Sequence, residues 1–159
     1  MHEKYQKFLE TEFTVFDIET AGLDPLKDEI LEIAAVRMRG PEIIGRFEAL
    51  VQPTRPIPAE AAKINGLNEL YLLANGRPVK EVLREFIEKI SGTIIVGHNI
   101  KEFDWRFIDA WSKKSALSLP MDFKFIDTLE LSRKLLKLPR YQLGMVGKHF
   151  GFELENAHR

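Results

Sequence analysis

An α/β layered domain built on a mixed sheet is the fold class that this sequence predicts, and three observations predict it. Two strand-like runs, "EILEIAAVRMRG" and "EIIGRFEALVQP", are parted only by Gly40-Pro41, the spacing of a hairpin. With the apolar run before them they make a three-strand antiparallel meander. Beyond it, two further short apolar runs alternate with helical patterns, the order of a sheet covered by helices. The chain has 159 residues, 45% of them apolar and 30% charged. That suits one domain with a real core and does not suit a disordered polymer.

The elements follow in order. Tyr5, Phe8 and Leu9 stand at helical spacing, so residues 1–12 read as an N-terminal arm on a domain of residues 13–159. The first strand covers residues 13–19 and is closed by the turn signals Gly22 and Asp24-Pro25. After the meander, "PIPAEAAKINGLNELYLL" breaks the pattern with prolines and short helical turns. Pro78 then opens an amphipathic helix with Val79, Val82, Leu83, Phe86, Ile87 and Ile90 on one stripe. "TIIVG" is a short buried strand, and a helix starting near Ile100 carries Phe103, Phe107 and Trp111 along its face. "FKFID" is the last strand. Asp127-Thr128 stands where an N-cap is wanted for a helix that Pro139 stops. A further helix runs over residues 141–150, before Gly151. No internal repeat, low-complexity segment or second domain boundary interrupts this order.

Composition narrows the function. Without cysteine, neither a disulfide framework nor a thiolate metal site is possible. The start "MHEKYQKF" is too polar for a signal peptide. No apolar run approaches a membrane span, so a cytoplasmic protein with no membrane partner is expected. The net charge of −1 excludes a broad electrostatic binder of nucleic acid, and the lysines and arginines form no stripe.

Chemistry concentrates in "VFDIETAGLDP", where Asp17 and Glu19 are two apart and project from one face of a strand. Two like charges in an apolar strand repel, and each loses hydration. Basic partners, a shared proton or a bound cation would relieve them; a solvated strand end would need no relief. No Cys or His stands nearby, so a cation here would meet oxygen alone, which favours Mg²⁺ or Mn²⁺ over zinc. In "VGHNIKEFDWRFID", Asp104 opens a helix at the border of its apolar face. The plain alternative for it is a first-turn acid complementing the helix dipole.

The two stretches together carry a resemblance. "FDIETAGLDP" resembles the first motif of the DnaQ-like exonucleases, "GHNIKEFDWRFI" resembles their second, and the closing "NAHR" resembles the start of the third in the histidine-bearing branch. "PAEAAKINGL" and "IDTLELSRKLLKLPRYQLGMVGKHFG" match the family between those motifs. Three ordered motifs are far more specific than one DxE. The nearest likeness is to the proofreading exonucleases of bacterial DNA polymerase III.

The resemblance implies a ribonuclease-H-like fold that removes nucleotides from DNA 3′ ends. It also implies two divalent cations, Mg²⁺ or Mn²⁺, held by Asp17, Glu19 and Asp104, with His158 as general base. Such a pair of cations can activate water and clamp a phosphate, and a histidine titrating near neutrality suits the proton abstraction. Thr20, Leu23, His98, Asn99 and Phe103 would contact substrate, although His98 and Asn99 equally read as a hydrogen-bonded structural pair and Phe103 as core. The implied partners are a single-stranded DNA 3′ end and a DNA polymerase. An exoribonuclease of the same superfamily and a catalytically silent binding module are the alternatives. Two departures stand out. Ala21 replaces a usual threonine, and Arg159 ends the sequence before the family's fourth metal-binding aspartate, so a chain truncated before its last helix is expected. Glu32 reads as a paired structural carboxylate, Asp127 as a cap, His149 as surface and "QLGMV" as core packing.

Overall fold

Strand β1 (Glu12–Thr20) decides which side of the sheet is core. Thr14, Phe16 and Ile18 are buried while Val15 and Asp17 are exposed, the two-residue alternation of a half-buried strand. The structure is a computed structural model and describes residues 2–152. β1 pairs antiparallel with β2 (Ile30–Arg39), and β2 pairs antiparallel with β3 (Glu42–Leu50). This is the expected meander. β4 (Ile94–Gly97) and β5 (Lys124–Asp127) then add in parallel on the other side of β1, giving the order β3-β2-β1-β4-β5.

The register places Phe16 opposite Ala35 and Ile18 opposite Ile33, so neighbouring strands present one apolar face. Helix α4 (Val79–Ile90) lays Val82, Leu83, Phe86 and Ile90 on that face, all fully buried. The Phe86 ring meets Phe16 edge-on at 5.0 Å and lies 5.8 Å from Phe47. Burying each such side chain contributes about 1.5–3 kcal/mol. Helix α5 (Asp104–Lys114) adds Phe107 and Ile108 to the same core.

A smaller cluster of Leu31, Leu67 and Leu72, with Ile57 and Ala21 against it, ties α2 (Ala59–Asn65) and α3 (Glu69–Asn75) beside the end of β1. α2 stops at Gly66, whose φ of 68° lies in the left-handed region that glycine enters without strain. Asn68 caps α3 by accepting from the Leu70 and Tyr71 N–H groups. Before β1 runs α1 (His2–Glu10), with Phe8 stacked near Phe13 at 5.8 Å.

Three helices differ in their bounds from the sequence reading. The helix expected near Ile100 begins at Asp104, because hydrogen bonds to Asp127 hold the preceding residues in a turn. α6 (Thr128–Leu135) ends well before Pro139, with Leu136 already extended. α7 (Leu143–His149) is shorter than residues 141–150. His149 is exposed as expected, and Asp127 is the N-cap of α6. In "QLGMV" only Val146 packs inward; Leu143 is half exposed. Among the described residues no helix is long and apolar enough to cross a membrane.

Candidate active site

The site forms where two parallel strands part. β1 and β4 pair only from Phe13↔Ile94 to Val15↔Val96; β4 then ends at Gly97 while β1 runs on to Thr20. The edge of β1 released there is met by a side chain instead of a strand. Asp104, 4% exposed at the first turn of α5, accepts the Ile18 N–H through Oδ1 at 3.2 Å. A crevice outside strand ends at such a parting is where ligands bind in α/β sheets.

Asp17 projects from the open face of the sheet and is exposed, and Glu19, on the same face, is half-buried. Of the three acids, Asp104 is the most deeply buried. Burial, followed by the negative charge of Asp17, pushes the Asp104 carboxyl up to about 7. Its hydrogen bond from Ile18 pulls the other way and does not prevail. Asp104 and Asp17 are thus close enough to resist sharing two negative charges, a conflict that a cation relieves. The donors are oxygen only, which fits a hard divalent cation. Among the described residues, no three Asp, Glu or His groups are gathered tightly enough to hold one unaided.

The turn that delivers Asp104 is fixed from β5. Asp127, 5% exposed, accepts from Asn99 N–H at 3.1 Å and from Leu129 N–H at 2.9 Å. Burial raises its carboxyl, but four backbone N–H groups outweigh that and hold it below the usual carboxylate range. His98 is engaged on both ring nitrogens. Nδ1 lies 3.1 Å from Thr128 Oγ1, and Nε2 donates to the Tyr141 carbonyl at 2.7 Å.

Beside Glu19 opens a cleft of about 340 Å³ lined by Glu19, Thr20, Leu23, Ile64, Asn65 and Phe103, among others. Leu23 is 82% exposed at its lip, whereas Phe103 also packs on the core and on Phe107 at 5.2 Å. Around Asp17 the open sheet face forms a second hollow of about 470 Å³, reached by Val36, Val96, His98 and Leu143.

A family model described as RNase T exonuclease matches residues 14–159. The chain belongs to this exonuclease family. Among curated proteins, the PolC-type DNA polymerase III of Thermotoga maritima is 40% identical over 152 residues. That match takes in 96% of the chain and 11% of the polymerase, so the chain spans about a tenth of the relative's length. Among solved structures, E. coli exonuclease I in complex with a dT13 oligonucleotide superposes with a TM-score of 0.84 at 21% identity, over 94% of this chain and 38% of the other. The zinc-bound form of an E. coli exonuclease I–single-stranded DNA complex gives 0.83 at 22%, over 94% and 37%. The mixed five-stranded sheet is thus the ribonuclease-H-like fold of the DnaQ-like exonucleases.

Within this exonuclease domain the structure brings Asp17 and Asp104 together at the parting of β1 and β4, and puts Glu19, Thr20, Leu23 and Phe103 around the cleft. His98 and Asn99 lie in the turn before Asp104; His98 is engaged on both ring nitrogens while it lines the hollow around Asp17, and Asn99 is held through its backbone N–H. His158 lies outside the described residues. Sequence reasoning missed Ile64 and Asn65 as lining of the cleft. "PAEAAKINGL" matched the family there, but Ile64 and Asn65 are neither acids nor bases, so nothing in their chemistry marked the wall of a cleft. Asn65 is 4% exposed and donates from Nδ2 to the Thr20 carbonyl at 3.3 Å, which fastens α2 to the end of β1.

Proposed function

We propose that this domain is a divalent-cation-dependent 3′–5′ exonuclease acting on DNA, with proofreading beside a replicative polymerase as its role. The observation that carries the reading is the delivery of the Asp104 carboxyl to the bare edge of β1, beside Asp17 and next to the Glu19 cleft. Asp17, Glu19 and Asp104 would hold the two cations, Mg²⁺ or Mn²⁺, whose chemistry is to polarise a phosphate and acidify water. His158 takes the proton from the attacking water. The water oxygen bonds to phosphorus, the P–O3′ bond breaks, and the freed 3′ oxygen leaves with a proton, releasing a nucleoside 5′-monophosphate. Leu23 and Phe103 flank the terminal base without reading it, since an apolar surface stacks on any base.

A 5′-labelled single-stranded DNA incubated at high millimolar Mn²⁺ tests this. Stepwise shortening from the 3′ end is expected, stopped by a chelator. Asp17→Ala and Asp104→Ala should each lower the rate about 10³-fold or more. No Mn²⁺-dependent shortening, or near-normal rates in either variant, would sink the assignment. An RNA of the same sequence run alongside separates a deoxyribonuclease from an exoribonuclease.

A further inference from the structure

We infer that Asp127 is a positioning residue of the exonuclease site, acting through the turn that sets Asp104. The inference rests on Asp104 belonging to that site. A helix cap needs only the first N–H groups of its own helix, and Asp127 does cap α6, accepting from Leu129 at 2.9 Å and Glu130 at 3.3 Å. It does more. The same Oδ1 accepts from Asn99 N–H at 3.1 Å, and Oδ2 accepts from Lys101 N–H at 3.5 Å. One buried carboxylate therefore joins the start of α6 to the segment between β4 and α5.

That segment needs holding. Asn99 sits at φ 64°, a left-handed conformation that asparagine enters more readily than other side chains but less freely than glycine. Its carbonyl accepts from Phe103 N–H at 3.1 Å, and the Ile100 carbonyl accepts from Trp105 N–H at 2.8 Å. The Asn99 turn thereby fixes where α5 begins and which way its first residue points. A second tie runs parallel to the first, with Lys101 Nζ 3.2 Å from the Glu130 carboxylate. The Asp104 side chain then reaches Ile18 of β1. An unbroken chain of hydrogen bonds and one short turn leads from Asp127 to the edge of β1.

Cap and clamp are separable. Asp127→Ser keeps a good cap but has one oxygen on a shorter arm, which withdraws from Asn99 and Lys101. Asn68→Ala removes the cap of α3 and touches nothing in the turn, so it controls for lost helix stability. The readout is hydrogen exchange of the Ile18 amide, whose acceptor is Asp104, in the chelated protein. Asp127→Ser should speed that exchange at least about tenfold relative to the amides of α4, and Asn68→Ala should not. In Mn²⁺ the same variant should lose kcat with KM little changed, because the misplaced group acts on the reaction and not on the cleft. Ile18 exchange that is unchanged, or that rises only as much as in α4, overturns the inference. If Asp127→Ser does not fold, Asp127→Asn keeps Oδ1 and turns an amide toward Lys101, and it is held to the same comparison. The exchange measurement needs no cation and no substrate. A wild-type protein that cleaves nothing would therefore overturn the exonuclease reading, while Ile18 exchange would still decide whether Asp127 sets the position of Asp104.

Discussion

Asp104 keeps its proton near neutrality because the folded chain buries it beside the charge of Asp17. Its folded-state value of about 7 stands above the ordinary 3.8 of the unfolded chain. Between those two values the folded state binds the extra proton, so the contribution of Asp104 to stability is fullest below about pH 4 and is lost as pH rises through 7. Asp104→Asn keeps an oxygen for Ile18 N–H and has no charge to bury. In chelator, its unfolding free energy should exceed that of wild type at pH 8 by at most a few kcal/mol and match it near pH 4. Equal pH profiles for the two proteins would refute this account of the buried acid. His158→Ala should cost about 10²–10⁴-fold in rate and remove a rise of activity with pH near neutrality. The Asp17/Glu19 pair was legible because a strand repeats every two residues. The burial of Asp104 was not legible. Its helical register puts it at a border, and only the early end of β4, far along the chain, leaves the edge of β1 for it to cover.

At the scale of elements, the sequence placed the strands and the starts of α4 and α6 well, and misplaced the start of α5, the end of α6 and the bounds of α7. The stripe of α4 was plain because Val82, Phe86 and Ile90 repeat at helical spacing and all are buried. The start of α5 was misread because Ile100, Phe103 and Phe107 keep that same spacing through a turn. What breaks the helix there is hydrogen bonding to Asp127, which no local pattern announces. Gly97, at the end of β4, is the pivot of this corner. A Cβ on it would lie 2.3 Å from the Ile100 Cδ1 and 2.8 Å from its Cβ, and Ile100 is fully buried. Gly97→Ala should therefore destabilise the fold by about 1–3 kcal/mol. It should also lower kcat beyond what the stability loss explains, because the displaced turn carries Asp104. Denaturant melts paired with single-turnover cleavage check both parts.

For the whole molecule, a net charge of −1 spread over interspersed acids and bases leaves the grip on substrate to one small place. A protein that neutralises few phosphates releases few counterions. The log of kcat/KM for single-stranded DNA should thus fall with log salt at a slope of about −1 to −2, taking roughly −0.7 per phosphate contact. A slope several times steeper would reveal a cationic track that the scattered lysines and arginines do not suggest. The sheet order was only partly legible. The hairpin spacing gave the meander, and nothing local told that β4 and β5 would add beside β1. That distant pairing has a consequence in time. Ile18 and the acid that takes its N–H stand 86 positions apart, and long-range parallel pairing is among the slowest steps a chain takes. During synthesis the meander can form while the rest is still unmade. A nascent chain then carries Asp17 and Glu19 on a finished meander while Asp104, the acid that closes the edge of β1, has yet to be made.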